Sequence, residues 1–313
     1  MRKLAIAVAA IAAALFGSGE AEAASNCAGV SFSGASIPTW DPINIGAVQA
    51  DFTATITRNQ GSSMSARLIM IDTNNSAAPV RVGSAGPQYQ ILNKDTGATI
   101  SFVQGTSVTA QTVATTNLPN GSSGNSVIVN LRVIIPANTA AEDFVGGTTF
   151  SETLNYGIQC FKSNGNNDGI DSNVASNLTL SMTIPKLVSI RAASAASLDF
   201  GSFTQTSQTD HLTIASTSSI NVGVATTNGS KMILTGATSP YPDNSVIPYT
   251  IAYGPTGSTT TVAPGSPLSN QLRAGVGGAN RDLVLTLQNG QLPVGKIAGA
   301  YKDTVTLTLT PGT

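Results

Sequence analysis

In the segment Gly299-Ala-Tyr-Lys-Asp-Thr-Val-Thr-Leu-Thr-Leu-Thr-Pro311, apolar and polar side chains alternate without a break from Asp303 to Thr310. Val305, Leu307 and Leu309 take one face; Thr304, Thr306, Thr308 and Thr310 take the other. A period of two in β-branched and threonine-rich residues reads as a half-buried β-strand. Nothing that reads as a strand follows it before Thr313. A flat apolar strand with one side open is either a docking edge or an aggregation hazard.

The same residues carry a resemblance. Gly-x-Tyr-x-Asp-Thr-Val-Thr-Leu-Thr-Leu-Thr, residues 299–310, resembles the closing signature of the spore coat protein U domain. That family includes the pilins of archaic (Csu-type) chaperone–usher pili. The resemblance implies an immunoglobulin-like domain that lacks its final strand. It also implies a periplasmic chaperone, an outer-membrane usher and an adjacent pilin subunit that donates the strand. Weaker likeness extends over both halves of the chain. One departure is that residues 186–313 contain no cysteine, where many relatives carry a disulfide.

Upstream, Arg2 and Lys3, the apolar run Leu4–Phe16 and Ala21-Glu-Ala23 make a secretory signal peptide over residues 1–23. That run is too short to span a bilayer. The remaining chain is more than one small sandwich needs and suits two, over 24–185 and 186–313. Only 10% of residues are charged. Residues 24–185 hold 6 basic and 9 acidic side chains, and residues 186–313 hold 7 and 5. Neither balance offers the basic excess of a nucleic-acid binder. Gly, Ser, Thr, Asn and Val dominate without helical periodicity, so the fold class is all-β: two immunoglobulin-like β-sandwich domains. Cys27 and Cys160 form an even pair in an exported chain, which reads as a disulfide against the alternative of two free thiols.

Strands are expected at Cys27–Phe32, Val48–Arg58, Ala66–Asp72, Gln88–Leu92, Thr99–Val103, Ser107–Ala114, Ser126–Ile135, Phe150–Phe161 and Asn177–Ile184. The second half repeats two details of the first in the same order. Tyr89-Gln-Ile91 with Thr96-Gly97 recurs as Tyr249-Thr-Ile251 with Thr256-Gly257, and Phe150-Ser-Glu152-Thr153-Leu154 as Tyr301-Lys-Asp303-Thr304-Val305. Duplication explains this, with chance likeness between threonine-rich strands as the alternative. After Phe150–Phe161 the first half has one more alternating strand, with Leu178, Leu180, Met182 and Ile184 in phase. After Asp303–Thr310 the second half has none. A groove beside the last strand is therefore expected, formed by Val305, Leu307 and Leu309 with Leu198 and Phe200 from an opening strand. Only Ala24–Asn26 separate the expected cleavage site from Cys27, too short a reach to donate a strand. The expectation is a two-domain tip adhesin, exported through the periplasm to the cell surface, which accepts a strand and gives none. The competing classes are a structural minor pilin or coat-like protein, and a secreted sugar-binding module or enzyme.

Strand parity places the loops near 59–65, 93–98, 115–125 and 162–176 at the end remote from the second domain, with Cys27 and Cys160. Met64, Leu118, Pro119, Ile170 and Val174 are apolar residues in these polar loops. They either fold back on the core or form exposed tips that meet a host or abiotic surface, resembling the hydrophobic fingertips of Csu-type tip adhesins. Asn164-x-Asn166-x-Asp168-Gly169 has calcium-loop spacing, but Ala175 stands at the glutamate position, which favours a polar turn and no metal. With one histidine, His211, and no Gly-x-Ser-x-Gly elbow, neither a cofactor nor catalysis is expected. Trp40 is either a sugar platform or core.

Overall fold

The computed structural model describes residues 27–44, 46–59, 62–71, 80–100, 102–103, 116–119, 123–138, 142–193 and 197–313. The expected signal peptide, residues 24–26 and the expected strand Ser107–Ala114 lie outside them. The first half contains β1 (Ala28–Phe32), β2 (Val48–Arg58), β3 (Ser65–Ile71), β4 (Gln90–Asn93), β5 (Phe102–Val103), β6 (Thr116–Asn117), β7 (Ser126–Ile135), β8 (Thr149–Phe161) and β9 (Asn167–Thr183). The second contains β10 (Val188–Ala193), β11 (Ser207–Ser216), β12 (Ile220–Thr226), β13 (Lys231–Leu234), β14 (Val246–Pro255), β15 (Thr260–Thr261), β16 (Leu268–Gln271), β17 (Gly275–Leu287), β18 (Tyr301–Lys302) and β19 (Val305–Pro311). β9 begins ten residues before the strand read from sequence, at Asn167 rather than Asn177. Asn167–Asp171 lacks alternation, yet it pairs along β8 through register shifts, and that pairing could not be read locally.

The strands form two sandwiches with matching topology. In the first, a sheet ordered β1-β2-β7-β4 faces one ordered β5-β3-β8-β9. In the second, β10-β11-β17-β14, extended by β13 and β18, faces β16-β12-β19. Strand for strand, β10, β11, β17 and β14 repeat β1, β2, β7 and β4, while β12 and β19 repeat β3 and β8. Among the described residues, no second-half strand occupies the place of β9. Alternation builds each core: Ala50, Phe52, Ala54 and Ile56 of β2 face Val129, Leu131, Val133 and Ile135 of β7 from the same sheet into the first core. Ile247, Tyr249, Ile251 and Tyr253 of β14 enter the second.

The duplicated motifs occupy equivalent positions in the two folds. The Tyr89 hydroxyl donates to Glu152 Oε2 at 3.3 Å, and the Tyr249 hydroxyl donates to Asp303 Oδ2 at 2.7 Å. Burial, aided by the Asp303 carboxylate, pushes the Tyr249 hydroxyl far above its ordinary pKa, so it stays a donor at any physiological pH. Asp303 Oδ1 also accepts the backbone N–H of Asn228, which ties the entry of β19 to the β12–β13 turn.

Cys27 and Cys160 are bonded across 133 residues, linking the start of β1 to the end of β8. Cross-linking a loop of that length removes roughly 4–5 kcal/mol of unfolded-state entropy in the chain-entropy account. Trp40 is buried against Phe144, ring centroids 5.3 Å apart and edge-on, so it is core and not a sugar platform.

Between the sandwiches, Thr217 is a hub. Its carbonyl accepts the Gly146 N–H at 2.8 Å, and its hydroxyl accepts from Leu187 N–H and donates to Pro185 O, each at 2.8 Å. A Cβ on Gly146 would stand 2.7 Å from the Thr217 hydroxyl, so only glycine fits. Asp143 receives both guanidinium nitrogens of Arg273 at 2.5 Å and the Val276 N–H at 3.0 Å. Val276 itself is buried in the first core.

Two outcomes are expected. Tyr249→Phe should destabilise the second sandwich by about 1–2 kcal/mol by removing one donor from a charged acceptor, and Tyr89→Phe should do the same to the first; denaturant titration with a probe in each half checks both. Arg273, through its hydrogen bonds, holds the Asp143 carboxyl below its ordinary pKa against the opposing cost of burial. A depressed carboxylate contributes above its unfolded pKa of roughly 3.9, and the contribution is lost as pH falls through the lower folded value. The half-exposed pair is worth less than about 1 kcal/mol. Small-angle scattering should therefore show wild-type sandwiches loosening only below about pH 4, and Asp143→Asn already looser at neutral pH.

Candidate functional site

The last strand has one partner. β19 pairs antiparallel with β12 from Val305↔Thr226 to Pro311↔Ile220, and its other edge meets no strand among the described residues. β8, its counterpart, lies between β3 and β9. The burial differs accordingly. Leu154, Tyr156 and Ile158 of β8 are buried, whereas Val305, Leu307 and Leu309 at the matching positions of β19 are half-buried. In the first sandwich β9 runs along that edge, with Val174 opposite Tyr156 and Asp171 opposite Ile158, and with Leu178, Leu180, Met182 and the following Ile184 buried further along it.

β10 forms the facing wall. It is the edge of the opposite sheet and approaches β19, as β1 approaches β9. Val188 is half-buried against the second core, and Ile190, two residues on in the same phase, is 46% exposed. Val188 of β10 and Val305, Leu307 and Leu309 of β19 therefore pack against the same core along this edge.

Leu198 and Phe200 stand elsewhere than expected. They lie in irregular chain after β10, not on a strand, because Asp199 Oδ1 accepts the Gly201 N–H at 2.7 Å and Gly201 turns with φ 58°. Phe200 is buried and Leu198 partly buried in the second core. Phe203, whose N–H donates to the Phe200 carbonyl, meets the Tyr301 ring edge-on at 5.8 Å. The wall itself, Val188 and Ile190, was missed, although its two-residue period was there to read.

At the far end of the first sandwich, three expected loops converge beside the disulfide. Met64 N–H donates to Phe161 O at 2.8 Å, Leu118 N–H to Met64 O at 2.9 Å, and Asn59 N–H to Cys27 O at 3.0 Å. The 93–98 turn is not with them. Lys94 N–H donates to Asn130 O, about halfway down β7, because β4 is short. Of the apolar residues read as tips, Leu118 is only 4% exposed and belongs to the core. Val174 is partly buried against the core and Ile170 packs on Ile69 and Ile71. Met64 is half-buried, with its sulfur 3.9 Å from the Arg58 guanidinium. Pro119 is exposed, and Ile128 near the same end is 62% exposed. β9 extends through 167–176, so Ile170 and Val174 are strand residues with one side against protein. Asp168 accepts from the Ser62 and Ser63 hydroxyls at 2.7 and 2.6 Å, which makes the 164–169 segment a fastening turn.

No protein-family model matches the chain, and no curated protein matches it. Its neighbours among solved structures are tip adhesins of chaperone–usher pili. They include the CsuC–CsuE chaperone–tip subunit pre-assembly complex of Acinetobacter baumannii, with TM-score 0.42, 14% identity, and coverage of 90% of this chain and 99% of that one. The CupB6 tip adhesin of Pseudomonas aeruginosa aligns with TM-score 0.35, 9% identity, and coverage of 90% and 94%. CfaE, the adhesive subunit of CFA/I fimbria of enterotoxigenic Escherichia coli, aligns with TM-score 0.32, 11% identity, and coverage of 91% and 82%.

The one-sided pairing of β19 has a direct readout. Antiparallel strands bond alternate residues to each neighbour, so every second amide of β19 points away from β12, towards the edge with no strand partner among the described residues. Hydrogen exchange should find those amides orders of magnitude less protected than the amides of β8, which has a neighbour on each side.

Proposed function

We propose that this chain is a strand-accepting adhesive subunit of a chaperone–usher pilus, exported through the periplasm and displayed at the pilus tip, where it mediates surface attachment and biofilm formation. The observation that carries the proposal is that, among the described residues, β9 has no counterpart in the second half: one topology occurs twice, and we read the open edge of β19, with Val305, Leu307 and Leu309 half-buried and β10 opposite, as an apolar slot where the first copy has a strand. The occupant fits the chemistry of β9, an extended segment with apolar residues at every second position. Strand addition of this kind is a recurring recognition mode, and donor-strand complementation of pilins is a known instance. A periplasmic chaperone would fill the slot first, and the adjacent subunit would replace it at the usher. Residues 24–185 then act as the adhesive domain and 186–313 as the assembly domain. Leu198 and Phe200 cap the slot that Val305, Leu307 and Leu309 line. The adhesive surface is the far end of the first domain, where the loops carrying Met64 and Pro119 gather beside the disulfide, with Ile128 exposed near the same end.

Four inward side chains like those of β9 would gain roughly 6–12 kcal/mol gross at 1.5–3 kcal/mol each, with strand ordering offsetting much of it. A copy of residues 176–185 fused after Thr313 through a five-residue turn should fold back antiparallel along β19 and raise the melting temperature of the second domain by about 10 °C or more. Leu307→Arg should abolish that gain, and chaperone capture with it, by placing an unpaired charge in the slot. A chain that is equally stable without the added strand would instead be a secreted module. For the adhesive surface, Pro119→Ser with Ile128→Asp leaves the core intact, so pili should assemble while attachment to a hydrophobic surface weakens. Unchanged attachment at normal piliation would move the binding face elsewhere.

A further inference from the structure

Away from the slot, the second sandwich has a cleft of about 740 Å³ on the outer face of its larger sheet. Its floor is apolar: Ile233 of β13 with Val246 and Pro248 of β14, which pair across the two strands. Their neighbours Met232, Ile247 and Tyr249 point into the core, so the floor residues must point out. Tyr241 stands at the rim, 43% exposed.

Cations gather around this floor. Lys231 lines the cleft one strand position from Ile233 on the same face. Lys302 is the direct partner of Ile233 across β18 and β13, so it leaves the sheet on that face too. Lys296 reaches over from the β17–β18 connection, its ammonium 2.7 Å from the Asp243 carbonyl. None of the three forms an ion pair among the described residues. They are three of the 7 basic residues in 186–313, a half with only 5 acidic ones. Asp243 is the single carboxylate lining the cleft, beside the Asn228 amide.

The wall is fixed before any ligand arrives. Ile297 N–H donates to Asn244 O at 2.9 Å, and the Tyr301 hydroxyl donates to Asn244 O at 3.1 Å and Ile297 O at 2.7 Å. Ser245 is buried, its hydroxyl bonded to Pro242 O at 2.7 Å. Such bonds hold the two rims together, and a preformed cleft avoids ordering cost on binding. Its volume falls in the range of small-ligand sites.

We propose that this cleft binds an acidic saccharide, a short run of carboxylate-bearing pyranoses. The flat C–H faces of such sugars pack on Ile233, Val246, Pro248 and the Tyr241 ring. Their carboxylates meet the ammonium groups of Lys231, Lys296 and Lys302, and ring hydroxyls meet Asn228 and Asp243. A neutral saccharide would leave three clustered ammonium groups unmatched. A nucleic acid would need a wider basic field than this domain has. The proposal stands apart from strand acceptance, since the cleft and the slot lie on different faces.

Calorimetric titration of the full chain with tetragalacturonate tests it, with maltotetraose and a single-stranded thymidine tetranucleotide as comparison ligands. Tetragalacturonate should bind at least tenfold more tightly than either. The affinity should fall at least tenfold in Lys231→Gln/Lys296→Gln and several-fold in Tyr241→Ala, with melting temperatures unchanged, and should weaken with salt. Absence of binding up to about 10 mM, equal affinity for maltotetraose, equal affinity for the tetranucleotide, or a lysine double variant that binds as the wild type would each overturn it.

Discussion

An apolar sandwich edge has to be covered, and that constraint organises this molecule. In the first half the cover is intrinsic: β9 follows β8 through a tight turn and lays its side chains between the sheets, so Leu154, Tyr156 and Ile158 are buried by sequence-local chain. In the second half the same edge, carried by Val305, Leu307 and Leu309, has half its cover. Everything around it is already in place, including the tyrosine–carboxylate bond that positions the entry of β19. The second sandwich is thus formed around an edge strand with one strand partner among the described residues.

Duplication gives this contrast an internal standard. The two halves share sheet order and a tyrosine donor bonded to an acid at matching positions, so the loss of one strand is measured against a complete copy in the same chain. The halves are also fastened to one another. Asp143 and Thr217 reach across the joint, and Val276 of the second sandwich sits in the core of the first.

The far-end loops show how packing overrides pattern. An apolar residue among Gly, Ser and Asn looks like an exposed tip, but Leu118 lies beside β3 and turns inward, and Ile170 and Val174 belong to a strand. Burial is the more favourable outcome for each such side chain wherever the backbone lets it reach apolar neighbours. The exposed apolar residues, Pro119 and Ile128, are fewer and were not separable by composition.

The sequence by itself determined the all-β class, the two sandwiches and the pairing of the two cysteines. Each of these rests on local period, turn chemistry or simple counting, and those signals survive without knowledge of neighbours. Tertiary structure decided what lies across from what. It put Leu198 and Phe200 in irregular chain instead of on a strand, extended β9 by ten residues, and stopped the 93–98 turn halfway down the sheet. It also gathered Lys231, Lys296 and Lys302 around one cleft from three separate segments. Those outcomes depend on long-range pairing and side-chain burial, energies that belong to no single stretch of chain.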